Sequence, residues 1–136
     1  MYLLGFPLLL IPFAIYNILA FILGMSFNET VFTFTMLSRA ELSLTGGDLL
    51  VMLSVLLLYV EILKATRLGS RAIMDHILSL LLFIVMTGEF MIVSQAATAT
   101  FLIMVLISFV DVIAGFSITI RTAQRDLSVE GVERAG

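Results

Sequence analysis

Residues 98–120 read TATFLIMVLISFVDVIAGFSITI, a continuous apolar run whose single charged member is Asp111. A helix needs about 20 mostly apolar residues to cross the roughly 30 Å hydrocarbon core of a bilayer. The run is too long, and alternates too little, for a strand of a membrane barrel. Because the bilayer core offers no water to backbone groups, the stretch predicts a transmembrane helix, which satisfies its own hydrogen bonds.

The rest of the chain has the same character. Of its 136 residues, 61% are hydrophobic and 12% are charged, and the mean hydropathy is +1.19. Soluble domains carry about 25% charged residues, and a compact fold could not cover this much apolar surface with so few charges. We therefore exclude a soluble enzyme, a nucleic-acid-binding protein and a disordered chain. The predicted class is an integral membrane protein, whose first partner is the lipid bilayer.

Four segments are long and apolar enough to span the membrane. The predicted fold is therefore all-α, an antiparallel up-and-down four-helix bundle with a long first outer loop. Residues 1–120 form its transmembrane domain, and residues 121–136 form a polar cytoplasmic tail that frays. The predicted spans cover about residues 3–25, 48–65, 72–94 and 98–120.

The basic residues predict the orientation of the bundle. Three of the seven lie at or after the end of the second span, three follow the fourth span, and the seventh, Arg39, lies in the first loop. Since Lys and Arg accumulate on the cytoplasmic side, we predict a multi-pass protein of the bacterial inner membrane with both termini in the cytoplasm. The residues that set this orientation are Lys64, Arg67, Arg71, Arg121, Arg125 and Arg134.

The connections between spans differ in length. Residues 65–71 and 95–97 are short connections, which predict that the second and third helices are antiparallel neighbours and that the third and fourth are too. The outer segment 26–47 is long, and its apolar residues favour a position in the membrane interface.

The form of the outer segment stays open on sequence alone. Two Ser-x-x-Glu patterns, Ser26 with Glu29 and Ser38 with Glu41, are typical of helix capping boxes. The alternation Phe-Thr-Phe-Thr-Met over residues 32–36 suits a short strand equally well.

Ionisable side chains inside predicted spans are costly, so each is a candidate for function. Helical spacing puts them on faces that also carry small or hydroxylated residues, which favour contact between helices in lipid. We predict that Glu61, His76 and Asp111 gather in the inner half of the bundle, whereas Glu89 stands apart, near Asn17. The candidates are Glu61 in the second span, Asp75, His76 and Glu89 in the third, and Asp111 in the fourth.

Ordinary structural roles are the alternative for most of these residues. Glu61 can pair with Lys64 one turn later or reach the interface, and Asp75 and His76 can cap the third helix. Asp111 lies near mid-membrane, where it is neutralised by desolvation, hydrogen-bonded to another helix, or lines a wet path. A lone histidine is a weak basis for a haem site, since electron-transfer haems usually take two axial ligands.

Three short stretches resemble one known family in their layout. They are Glu29-Thr30-Val31, Asp48-Leu49-Leu50 and Tyr59-Val60-Glu61, and they resemble the small phosphate-starvation-inducible membrane proteins, the PsiE-like family. That family has four spans, a long first outer loop, and an acid following a tyrosine in the second span. The resemblance implies a bacterial inner-membrane protein with a role in nutrient stress and supplies no active residues.

The predicted function is that of a non-enzymatic accessory or interaction subunit, or of a small homo-oligomer, with no cofactor. Polar groups that face a bundle or a subunit contact are what such a protein needs. Two alternatives stay open: a proton- or ion-coupled transporter or channel that uses the intramembrane acids, and a haem-binding membrane subunit.

Overall fold

A computed structural model describes residues 6–66 and 70–135. The chain is mostly helical there, which confirms the coarse fold class, but it also contains a two-stranded sheet that an all-α fold lacks. The first helix, α1, continues as a π-helical segment, and a short 3-10 turn, Ser94–Ala96, precedes the last helix. The elements in chain order are α1 Leu10–Asn17 with the π segment Ile18–Ile22, β1 Thr30–Thr35, β2 Glu41–Thr45, α2 Gly46–Lys64, α3 Ser70–Ile92 and α4 Ala99–Ala135.

Among the described residues, three helices are long and apolar enough to cross a membrane: Gly46–Lys64, Ile73–Ile92 and Ala99–Ile118. They correspond to the second, third and fourth predicted spans. The first apolar helix, Leu10–Ile22, is shorter than the predicted span 3–25, of which residues 3–5 lie outside the described range.

The short first helix has local causes. Residues 6–9 form a bend and turns before the helix begins, and Pro12 lies in its first turn, where the missing N–H of proline is tolerated. Gly24 takes a positive φ of 60° just beyond the π segment, the left-handed conformation in which helices commonly end. Within residues 6–25, the helix therefore covers only Leu10–Ile22 of the predicted span.

Helix α4 is the centre of the bundle. It packs against both α2 and α3, and 44% of its span-forming stretch is buried, compared with 22% in each of the other two. Gly47, near the start of α2, lies against Thr100, near the start of α4, so these two helices run parallel. His76 of α3 lies against Gly115 of α4, so α3 runs antiparallel to α4.

The predicted helix neighbours are half right. Contact between α3 and α4 is confirmed. In contrast, α2 and α3 make their extensive contacts with α4 rather than with each other, and they meet at one end, where Lys64 approaches Asp75. The reason is that α4 presents small residues, Ser108 and Gly115, which let neighbouring backbones approach closely.

The two ends of the bundle have different interiors. The end that holds the start of α2 and the end of α3 is called the hairpin end, and the opposite end is called the Lys64 end. At the hairpin end, fully buried Tyr16 stacks on Phe27 with 4.4 Å between ring centroids and meets Phe101 edge-on at 4.8 Å. Its hydroxyl donates to the carbonyl of Gln95 at 3.0 Å and lies 2.8 Å from Thr98 Oγ1. This packing fixes α1 to the connection between α3 and α4.

The outer segment 26–47 contains an antiparallel hairpin. Phe32 pairs with Leu44 and Phe34 with Leu42, and the register shifts between Thr30 and Phe32. The alternating residues therefore form a strand, the second of the two forms that the sequence allows.

Neither Ser-x-x-Glu pattern of the outer segment forms a helix capping box. The hydroxyl of Ser38 accepts from Ala40 N–H in the turn, and Ser26 accepts from Asn28 N–H in a loop, so neither caps a helix. The capping box is formed instead by Thr45 and Asp48, whose side chains accept from each other's backbone N–H at 3.1 and 2.9 Å.

The segment after residue 120 is helical rather than frayed. Helix α4 continues to Ala135, about 22 Å beyond Ile120 at the rise of an α-helix. The sequence of this segment lacks proline and is rich in strong helix formers such as Ala, Arg, Gln and Glu, which accounts for the difference from the prediction.

Candidate functional site

A cluster of polar side chains lies at the Lys64 end, where α2, α3 and α4 meet. We call it the polar cluster. Three of its charged members are almost fully buried, since Glu61, Lys64 and Asp111 are each 4% exposed, whereas the side chain of Asp75 is 14% exposed. Together with Ala65, the cluster lines a cavity of about 10 Å³ and consists of Glu61, Lys64, Asp75, His76, Ser79 and Asp111.

The cluster brings together four of the five candidates named from the sequence. Glu61, His76 and Asp111 gather as expected from helical spacing, and Asp75 joins them. Two members, Lys64 and Ser79, were not among the candidates. The sequence predicted that Lys64 helps to set the orientation of the chain. Its place in the site is indicated by Glu61, which lies one turn earlier on the same face of the helix.

Lys64 holds the cluster together by two ion pairs. Its Nζ lies 3.0 Å from Glu61 Oε1 and 3.6 Å from Asp75 Oδ2, so it joins α2 to α3. The pairing of Glu61 with Lys64, one of the structural roles considered above, is therefore confirmed. The capping role is wrong for Asp75, because α3 begins at Ser70 and places Asp75 in its second turn, beyond the N–H groups that a cap satisfies.

The same pair also binds the chain ahead of α1. Leu8 N–H donates to Glu61 Oε1 at 2.6 Å, and Lys64 Nζ donates to the carbonyl of Phe6 at 2.7 Å. A buried non-helical backbone is tolerated only where its polar groups find hydrogen-bond partners. The Glu61–Lys64 pair supplies both an acceptor and a donor for this stretch, which explains how residues 6–9 can remain non-helical.

His76 fits closely against α4. Its ring stacks on Phe116, with 4.8 Å between centroids and 2° between planes. It also covers Gly115, where an added Cβ would overlap the ring. His76 Nε2 is buried and has no hydrogen-bond partner among the described residues. The glycine is therefore needed at this position for the histidine to reach the cluster.

Asp111 completes the cluster from the α4 side. Its carboxyl group lies beside the Ser79 hydroxyl, with Glu61, Lys64 and Asp75 as charged neighbours. The cluster thus combines three carboxyl groups with one ammonium group and one imidazole. Such a set can share or bind a proton, because burial makes every unpaired charge costly.

Glu89 lies in the other half of the bundle, beside Asn17 as expected. Its Oε2 atom is buried and has no hydrogen-bond partner within the described ranges. About 20 Å of α3 separates Glu89 from His76. Apolar side chains, Leu82 and Met86, are buried along that length, so Glu89 and the polar cluster are distinct sites.

A second cavity, of about 260 Å³, opens at the hairpin end. It lies between the chain after the π segment and the start of α4, and all of its lining side chains are uncharged, with Asn28, Gln95 and Thr98 among them. No motif in the sequence predicts this cavity. Gly24 lines the cavity, and its positive φ allows the chain to turn there.

The volume of the polar cluster's cavity limits its chemistry. About 10 Å³ is near the smallest space that holds one water molecule. A substrate molecule or a haem beside His76 would require the helices to separate. What the arrangement can do is bind a proton or a single water and hold three helices and the chain ahead of α1 together.

Comparison of the chain with protein-family models, with curated proteins and with solved structures finds no match. The geometry of the polar cluster and the surface of the bundle are therefore the basis for a functional proposal.

Proposed function

We propose that this is a multi-pass protein of the bacterial inner membrane that acts as a non-enzymatic accessory or interaction subunit, or as a small homo-oligomer. The observation that carries the proposal is the closed polar cluster. Its side chains bind each other and leave a cavity of about 10 Å³. In contrast, the outward sides of the helices carry large apolar residues, such as Leu56, Ile84 and Leu106, which are suited to lipid or to another transmembrane helix.

The arrangement of the chain ends supports the proposed orientation. Phe6 and Leu8 contact the Lys64 end, and α4 leads towards the same end before it continues to Ala135. Arg121 and Arg125 are exposed on that continuation. Exposed basic side chains beyond this end of the bundle are what a cytoplasmic location of the Lys64 end requires.

The test of this proposal is the assembly state. In mild detergent, light scattering should give a protein mass that is a multiple of the 15.0 kDa chain, or a pull-down from native membranes should recover a membrane-protein partner. A strictly monomeric protein that recovers no partner would contradict the proposal.

Gly88 provides a matched variant for that measurement. A Cβ at Gly88 meets no described atom within 4 Å, so a side chain added there points into open space at its first atom. Small residues let transmembrane helices approach closely. We therefore expect Gly88→Leu to weaken a contact made by this side of α3, and Gly88→Ala to serve as its control.

The resemblance to the PsiE-like family supports a role in nutrient stress as part of this proposal. If that role is correct, the protein should accumulate in cells limited for phosphate, measured by immunoblot of the membrane fraction against cells grown in excess phosphate. An unchanged amount would remove the stress role and leave the structural role intact.

A proton- or ion-coupled transporter or channel is the second candidate. It is favoured by the gathering of Glu61, His76 and Asp111 in one half of the bundle, with Glu89 in the other half. Because apolar residues separate the two sites, a path would need oligomerisation or helix movement to complete it. In proteoliposomes, Asp111→Asn should abolish pH-dependent flux without changing assembly. The control variant Glu41→Gln, on the exposed hairpin, should leave the flux unchanged. Absence of flux in the unmodified protein would eliminate this candidate.

A further inference from the structure

The β1–β2 hairpin has one apolar face and one polar face. Residues paired across an antiparallel sheet project on the same side, and successive residues project on opposite sides. The rings of Phe32 and Phe34 lie 6.2 Å apart on one side. The pairs on the apolar face are Phe32 with Leu44 and Phe34 with Leu42, and those on the polar face are Thr33 with Ser43 and Thr35 with Glu41.

In the part of the chain that the structure describes, no other element covers the apolar face. Phe32 is 51% exposed, Phe34 is 50% exposed and Leu42 is 44% exposed. A two-stranded hairpin is at best marginally stable in water by itself, and a contiguous exposed apolar patch marks an interaction surface. This face therefore requires a cover that the bundle does not supply.

The hairpin is fixed to the end of the bundle. Thr45 is both the last residue of β2 and the N-cap of α2, so no linker separates them. At the other side of its base, Gly46 N–H donates to the carbonyl of Glu29 at 3.3 Å, and Gly47 N–H donates to that of Phe27 at 3.1 Å. The hairpin thus starts at the level where α2 begins, which is where the hydrocarbon layer ends if α2 spans the membrane.

The surroundings of the hairpin indicate what covers it. Exposed Leu23 and Met25, which lead from the first helix towards β1, extend the apolar surface between the bundle and the hairpin. Exposed Arg39 lies at the tip, where a lipid phosphate could balance its charge. Segments with an apolar face containing Phe and Leu and an opposite polar face bind in the interfacial layer of a bilayer.

We propose that the apolar face of the β1–β2 hairpin docks onto the lipid surface of the bilayer around the hairpin end, with the face of Thr33 and Ser43 turned to water. This inference rests on the proposed membrane location. The hairpin then acts as an interfacial anchor that fixes the depth and tilt of α2, because the capping box of Thr45 and Asp48 joins the two elements rigidly.

The chain contains no tryptophan, so single substitutions provide site-specific fluorescent reporters. Phe34→Trp reports on the apolar face and Thr33→Trp on the polar face of the same strand. Leu106→Trp, on the outward side of α4, reports on insertion of the bundle. Each variant is reconstituted into phosphatidylethanolamine–phosphatidylglycerol vesicles that contain lipid brominated either near the headgroup or deep in the acyl chain.

We expect Phe34→Trp to shift its emission to the blue and to lose most of it to the shallow brominated lipid. Thr33→Trp should keep its emission with brominated lipid and lose it to acrylamide in the water. Leu106→Trp should be quenched by the deep brominated lipid.

The three reporters separate the possible failures. If Leu106→Trp escapes the deep brominated lipid and is instead quenched by acrylamide, the membrane location itself is wrong. If the deep quenching of Leu106→Trp is present but Phe34→Trp remains as accessible to acrylamide as Thr33→Trp, the docking inference is overturned while the membrane location stands. A blue shift of Phe34→Trp that disappears as protein is diluted with lipid, without bromine quenching, would mean that a second copy covers the face, which also overturns the inference.

Discussion

The two ends of the bundle hold α1 in place by different kinds of interaction. At the Lys64 end, two buried charged side chains bind the backbone of Phe6 and Leu8. At the hairpin end, the ring of Tyr16 packs between two aromatic rings and its hydroxyl makes neutral hydrogen bonds. A buried charge that loses its partner is strongly destabilising, whereas a neutral hydrogen bond contributes about 1 kcal/mol. We therefore expect the Lys64 end to be far more sensitive to conservative substitution.

The largest effect is expected from Lys64→Met, which keeps most of the side-chain volume and removes the ammonium group. Glu61 and Asp75 then lose their shared counter-ion, and Phe6 loses its donor. Leaving buried charges unpaired costs about 3–5 kcal/mol, to be measured as the loss in free energy of unfolding in detergent micelles. Lys64→Arg retains the charge and is the matched control. Equal stability of Lys64→Met and the unmodified protein would show that the ion pairs contribute little.

The next effect concerns the fit between helices at the Lys64 end. Gly115→Ala places a methyl group where the His76 ring lies, and overpacking a closely fitted interior costs about 1–3 kcal/mol. Gly88→Ala is the control, because its methyl group meets open space. A double-mutant cycle tests the contact directly. In the His76→Ala background, Gly115→Ala should lose most of its cost in free energy of unfolding. Additive effects of the two substitutions would contradict the contact.

The position of the polar cluster could be predicted from the sequence to a large extent. Helical spacing fixes both the face and the depth of a side chain, so Glu61 and Asp111 were expected on inward faces at similar depth. The role of Lys64 could not be obtained in this way. It ends an apolar segment and resembles a loop cation, and its long flexible stem allows the ammonium group to turn back into the bundle.

The N-terminal helix and the outer segment show a second limit. Hydropathy identifies an apolar stretch but not the partners of its backbone, so the non-helical start stabilised by Glu61 and Lys64 was missed despite the two prolines. The strand over 30–35 was visible as alternation. However, the choice between strand and helix depended on a partner strand and on Arg39, which takes a positive φ of 69° in the turn, and neither follows from local propensity.

The smallest effect is expected from Tyr16→Phe at the hairpin end. The substitution keeps the ring between Phe27 and Phe101 and removes the hydroxyl that donates to Gln95. Thr98 still accepts from Phe101 N–H at 3.2 Å, so its hydroxyl is not left without a partner. The loss should be about 0.5–1.5 kcal/mol in the free energy of unfolding, clearly below that of Lys64→Met. A loss as large as that of Lys64→Met would remove the distinction between the two ends, because it would mean that the neutral hydrogen bonds hold α1 as strongly as the buried ion pairs do.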